Sequence, residues 1–188
     1  ALGIVLQLGM PLADAAKSMA TATGVKGRVE VVPTDTDYTV LIDYAHSPDG
    51  VENVLKAVRG FAKGRVVALF GCGGDRDAGK RPVMGGIAVR LADEVVVTSD
   101  NPRTEDPDAI IADISAGAPG ARVVTDRAEA IHHAVAEADG ADVVLIAGKG
   151  HEDYQEINGV KHHFSDSEVV REAFNERRVQ MLRAVEGV

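Results

Sequence analysis

Between residues 38 and 147 the chain alternates short, unbroken apolar runs with longer stretches in which apolar residues recur every three or four positions. Tyr38–Ile42, Arg65–Phe70, Glu94–Thr98, Arg122–Thr125 and Val143–Ala147 are rich in Val, Ile and Leu with little polar alternation. Strands covered on both faces have this pattern. The intervening stretches carry helical spacing. Val51, Val54, Leu55, Val58 and Phe61 form a stripe in the first, and Val83, Ile87 and Leu91 mark the second. Ile110, Ile111 and Ile114 mark the third, with Pro107 near its start, and Ile131, Ala134 and Val135 the fourth. Repeated strand–helix units predict an α/β fold, a mostly parallel sheet with helices on both faces. Beyond the fifth strand, Gln155–Phe164 carries Asn158-Gly159, a hairpin turn signal. A final helix is expected from about Ser167 to Val185.

Ahead of the alternation, Ala1 to about Ala22 reads as two short helices broken at Gly9-Met10-Pro11, with Pro11 opening the second. Residues 23–37 hold turn chemistry (TGVKG and PTDTD) around a short strand candidate, Arg28–Val32. These features predict a junction near residue 36, dividing the chain into residues 1–35 and 36–188. The opening begins mid-pattern, with neither Met nor helix cap, and is expected to be the inside of a larger protein.

At 188 residues the chain can bury one good core. Its net charge of −9 argues against nucleic acid as a partner, since no basic stripe could neutralise successive phosphates. The single cysteine, Cys72, excludes an internal disulfide and fits a reducing, cytoplasmic compartment. No apolar run reaches the length of a membrane span, and no charged segment opens a signal peptide.

Chemistry concentrates where the strands end. The first strand is followed by Asp43-Tyr44-Ala45-His46-Ser47-Pro48-Asp49, and the second by Gly71-Cys72-Gly73-Gly74-Asp75-Arg76-Asp77 and then Gly79-Lys80-Arg81. The third gives Ser99 to Glu105 and the fifth Gly148-Lys149-Gly150-His151-Glu152-Asp153, while the fourth ends in a plain helix start, Asp126-Arg127. In a parallel sheet these loops share one edge, where open α/β folds bind ligands. Four polar, glycine-bearing loops there predict a composite pocket. An Arg at such a position can grip a carboxylate through two parallel hydrogen bonds. By itself, Asn101-Pro102-Arg103 would be a solvated turn.

Several motifs are absent. A dinucleotide fingerprint starting at Gly71 would need glycine where Arg76 stands. No Gly-Lys pair precedes Ser or Thr, so the chain has no Walker A phosphate loop. His46 is open to readings as base, ligand, stacking contact or structural group. His162 and His163 lack the neighbours of a metal site, and no metal ligands are assigned. Cys72 fits a buried filler better than a nucleophile.

In order and spacing, DYAHSPD, GCGGDRDAGKR, SDNPRTEDP and AGKGHEDYQ resemble the C-terminal domain of the Mur ligases, in particular of members that add meso-diaminopimelate. The resemblance covers nearly the whole chain. It implies a Rossmann-like domain of an ATP-dependent amide ligase of peptidoglycan precursor synthesis, preceded by the tail of a central ATPase domain. Partners implied are meso-diaminopimelate, ATP and UDP-MurNAc-dipeptide, with ATP and Mg2+ used by the full-length enzyme and none expected tightly bound to this fragment. The family's P-loop, carbamylated lysine and magnesium ligands have no counterpart here. The resemblance therefore implies that the fragment alone is inactive, and no catalytic residue is assigned.

Carried over to this sequence, the family pattern implies that Arg76, Asp100, Asn101, Pro102, Arg103, Gly148 and Glu152 bind diaminopimelate. On the ATP side it implies Arg28 near the phosphates, Asp43 at the ribose, and Tyr44 and His46 near the nucleotide. Diaminopimelate differs from lysine by a second carboxylate, which calls for an Arg, and the resemblance implies that lysine-adding members lack Arg at position 103. A sister ligase adding another amino acid and a free-standing amino-acid-binding module are the competing readings.

Overall fold

The computed structural model describes residues 2–22 and 24–186. Ala1, counted in the expected first helix, and Thr23, the first residue of the expected TGVKG turn, lie outside the described residues. Six strands form the main sheet: β1 (Glu30–Val32), β2 (Thr39–Asp43), β3 (Val66–Phe70), β4 (Glu94–Val97), β5 (Arg122–Val123) and β6 (Val143–Ala147). Their order is β1-β2-β6-β3-β4-β5. All neighbours run parallel except β1, which pairs antiparallel with β2.

The unbroken apolar runs are two interleaved sets. Leu41, Val66, Ala68, Phe70, Val95, Val97, Val143 and Leu145 enter one core, while Val40, Ile42, Val67, Leu69, Val96, Val144 and Ile146 enter the other. Alternate side chains of a strand point to opposite faces, so an apolar run means that both faces are covered. The first face carries α3 (Pro48–Arg59), α4 (Lys80–Leu91) and α5 (Pro107–Gly117); the second carries α6 (Arg127–Glu137) and α7 (Asp166–Glu186). Starts are set locally. Ser47 Oγ accepts from the Gly50 N–H, the Asp106 carboxylate from Asp108 N–H, and the Asp126 carboxylate from Glu129 N–H, with Pro48 and Pro107 in the first helical positions.

Two expected stripe positions differ. Phe61 and Val83 are 53% and 51% exposed. α3 stops at Arg59, so Phe61 has left the helical face. In α4 the buried positions are Arg81, Met84, Gly85, Ile87 and Ala88, which rotates Val83 outward. The reason is backbone proximity: a Cβ at Gly85 would overlap the Ile114 carbonyl, and one at Gly117 the Pro82 carbonyl. α4 and α5 therefore meet through glycine, and the face turned to α5 is not the most apolar one.

β1 lies ahead of the junction expected near residue 36, and its Val32 belongs to the second core. The expected helix pair is present as α1 (Leu2–Gln7) and α2 (Leu12–Ala20). β7 (Tyr154–Ile157) and β8 (Val160–His163) form a separate hairpin whose turn places Asn158 and Gly159 at φ 50° and 77°. Positive φ at both central residues is what a two-residue turn of this hand requires. Among the described residues no helix is long and apolar enough to cross a membrane.

Candidate functional site

A cavity of about 280 Å³ opens at the carboxyl edge of the sheet, and all four chemistry-bearing loops line it. The β2 loop contributes Tyr44 and His46, the β3 loop Gly73, Arg76 and Lys80, the β4 loop Asp100, Asn101 and Arg103, and the β6 loop Gly148 and Glu152. Helices leave the sheet for one face after β2, β3 and β4 and for the other face after β5, so the cavity lies where the winding changes sides. A larger hollow of about 410 Å³ lies beside Asp93, Glu94 and Arg122, at the start of β4 and so at the amino edge. None of the four loops reaches it.

The β4 loop is clamped from three sides. Arg103 adopts φ 52°, a left-handed conformation uncommon for a residue with a side chain. Its N–H donates to the Glu156 carbonyl at 3.0 Å, and its carbonyl accepts from Asn158 N–H at 2.7 Å, which docks the hairpin against the turn. Arg103 Nη1 donates to the Gly74 carbonyl at 2.7 Å and Nε lies 3.5 Å from Glu156 Oε2. Among the described residues nothing accepts from Nη2. Arg81, almost fully buried, joins the loop from α4: Nη2 bonds both Glu105 oxygens at 2.9 Å and Nη1 bonds Asp113.

Deeper in, Asn101 Nδ2 donates to Glu152 Oε2 at 2.9 Å, and Tyr44 Oη lies 3.4 Å from Glu152 Oε1. Burial and then the charge of Glu152 push the Tyr44 phenol above its ordinary pKa. Lys149 Nζ donates to Asn101 Oδ1 and to the Tyr154 carbonyl, both at 2.8 Å, and lies 3.2 Å from Asp100 Oδ1. That last approach is an ion contact without hydrogen-bond geometry. Burial lowers the Lys149 pKa against the opposing pull of Asp100. Gly148 (φ 118°) brings the β6 loop against Asp100, where a Cβ would stand 2.6 Å from Oδ2. Arg76 is exposed at the rim, and among the described residues it bonds only its neighbour's carbonyl, that of Asp75.

Three sequence-predicted residues are not brought to the cavity wall. Pro102 is buried under the turn, with its carbonyl accepting from Glu105 N–H. Arg28 stacks its guanidinium 4.8 Å above the Tyr44 ring. Asp43 is 7% exposed, and its two oxygens accept from the Val29 and Ala45 N–H groups at 2.8 Å. In this arrangement its carboxylate holds the Arg28–Val29 turn against β2, with one lone pair of each oxygen so engaged.

Sequence reasoning passed over Lys149, Lys80, Arg81 and Arg127. Lys80 Nζ donates to the His46 carbonyl at 2.7 Å and so links two loops. Arg127, read as part of a plain helix start, is buried and paired with Asp166 through two bonds of 2.8 and 2.9 Å. It also donates to the Ala147 carbonyl, and more weakly to that of Ser99, under the two central loops. Pairs 39 positions apart leave no local signature. Burial pushes the Cys72 thiol up to about 11, as suits a filler. Among the described residues one group of metal-type ligands converges, Glu94, His133 and Glu137, at the amino edge. Arg65 and Arg122 already approach its carboxylates, which disfavours a dication there.

Residues 27–150 match the family described as "Mur ligase, glutamate ligase domain". The chain is 56% identical over 186 residues to the UDP-N-acetylmuramoyl-L-alanyl-D-glutamate–2,6-diaminopimelate ligase of Parasynechococcus marenigrum, covering 95% of this chain and 37% of the relative. It is 54% identical to the enzyme of that name from Pseudomonas aeruginosa, covering 92% and 36%. A solved structure of a ligase of that name matches with a TM-score of 0.77 at 44% identity, covering 94% of this chain and 37% of the other. UDP-N-acetylmuramate–alanine ligase from Thermotoga maritima shares the fold, with a TM-score of 0.64 at 22% identity. The chain spans a little over a third of the length of the curated relatives it matches.

Proposed function

This chain belongs to the Mur ligase family, and from that premise we propose that it is the C-terminal, amino-acid-binding domain of the ligase that joins meso-diaminopimelate to UDP-N-acetylmuramoyl-L-alanyl-D-glutamate. Arg103 carries the reading. It is part-buried at the cavity wall, held by the hairpin and by the Gly74 carbonyl, with Nη2 unclaimed among the described residues. A carboxylate is the partner such a planar fork suits best. Arg76 at the rim is a second cation for the other carboxylate of diaminopimelate. Glu152, whose partners in the pocket are neutral, is placed to take an ammonium.

In the complete enzyme the γ-phosphoryl group of ATP passes to the D-glutamate γ-carboxylate and ADP leaves. The diaminopimelate amine then attacks the acyl carbon, the tetrahedral intermediate breaks its bond to the phosphate-bearing oxygen, and inorganic phosphate departs as the nitrogen loses its proton. This domain supplies the amine. We assign the ATP phosphates and Mg2+ mainly to the remaining domains, with Arg28, Tyr44 and His46 meeting the nucleotide when the domains close and expel water. Residues 1–35 serve as the tail of the ATPase domain and linker, with β1 anchoring that linker to the sheet. The setting is cytoplasmic cell-wall biogenesis.

Lysine in this pocket would leave Arg103 desolvated without its carboxylate. Truncating one side of such a pair costs about 2–5 kcal/mol, so Arg103→Ala in a full-length ligase carrying this domain should reduce preference for diaminopimelate over lysine by roughly 30-fold or more. Competition assays with both amino acids measure it. Unchanged selectivity would sink the assignment and favour a sister ligase.

A further inference from the structure

Lys149 is the least exposed cation of the pocket region, with its side chain at 0% relative exposure. Two of its ammonium donors go to Asn101 Oδ1 and the Tyr154 carbonyl, and its third side faces Asp100 Oδ1 at 3.2 Å. With no exposed surface to offer a ligand, any effect on substrate travels through another residue. Asn101 Oδ1 accepts from both Lys149 Nζ at 2.8 Å and the Glu156 N–H at 3.0 Å, which fills both lone pairs. Rotating the Asn101 amide by half a turn would set its NH2 group against an ammonium and an N–H at once. Nδ2 is thereby forced toward Glu152 Oε2.

We infer that Lys149 is a positioning residue for amino-acid selectivity, fixing the Asn101 amide so that Glu152 is oriented to receive the substrate ammonium. The inference rests on the proposed diaminopimelate-binding role. It assigns work to a lysine that touches neither substrate nor reacting atoms. The neighbouring aspartate opposes the effect of burial on that ammonium, and the Tyr154 carbonyl ties it to the hairpin, so one side chain joins the β4 loop, the β6 loop and β7.

The test is a double-substitution cycle in a full-length ligase carrying this domain. Lys149→Met should raise KM for diaminopimelate by about 10- to 100-fold, with kcat and the KM for ATP within a few-fold of wild type. Added to Asn101→Ala, the same change should have little further effect on KM, because the residue it acts through is gone. Full additivity, or equal losses toward ATP and diaminopimelate, would overturn the inference in favour of general support of the fold. If Lys149→Met does not fold, a nitrogen-edited Overhauser spectrum of the unmodified chain decides. Asn101 side-chain amide protons close to Glu152 support the proposal, and amide protons close to the Lys149 ammonium overturn it. A wild-type enzyme that does not prefer diaminopimelate to lysine would instead strike at the function proposed above.

Discussion

Asp142, at the amino end of β6, accepts from the Arg65 backbone N–H at 2.8 Å and from its guanidinium at 2.7 Å. Burial works against its charge, yet the Arg65 bonds and the Asp139 N–H hold the carboxyl below the ordinary aspartate range. A depressed carboxyl contributes stability that is complete above its unfolded value of about 3.9 and is lost as pH falls through the folded value. Asp142→Asn should therefore lower stability at neutral pH by about 1–3 kcal/mol and flatten the decline as pH falls below about 4, as read from urea titrations across pH. Single residues also mark the limit of what the chain reveals on its own. Arg103 was legible because its tripeptide stands beside three other polar strand ends. Lys149 and Arg127 were not, since their partners Asn101 and Asp166 are 48 and 39 positions away. The structural work of Asp43 was hidden for a similar reason, since sequence cannot pair its oxygens with the Val29 and Ala45 amides.

At the scale of elements, β2, β3, β4 and β6 were readable because burial on both faces leaves an apolar run with no competing pattern, whereas β5 is a short, exposed edge strand. Helix faces were less so. α4 turns Gly85 toward the Ile114 carbonyl, and α5 turns Gly117 toward the Pro82 carbonyl, so contact between the two helices is made by the absence of side chains. A periodicity of large apolar residues cannot register that. Gly117→Ala would press a methyl group into backbone, and overpacking of this kind costs about 1–3 kcal/mol. Urea denaturation should show a lower midpoint with unchanged slope; a midpoint equal to wild type would mean that the helices separate at no cost.

Across the whole molecule, sequence order and spatial order part company. Four loops that are scattered over residues 43–153 meet around one cavity because β6, the last strand of the sheet in sequence, inserts between β2 and β3. That insertion was not readable from the chain, although a shared edge for the loops was. The proposed role of the cavity is to read an amino acid, and the sequence holds no Walker A phosphate loop, so titration calorimetry of the chain with ATP alone should give weak or undetectable heat; a tight, saturable isotherm would contradict the proposed division of labour. The hairpin β7–β8 has one further consequence. It contributes no strand to the main sheet, yet it holds Arg103 by two backbone bonds and presents Glu156 to the guanidinium. On the proposed reading, heritable changes in those ten residues can retune which amino acid Arg103 accepts without opening either hydrophobic core. Part of substrate choice then becomes an evolvable accessory, adjusted from outside the part of the molecule that keeps it folded.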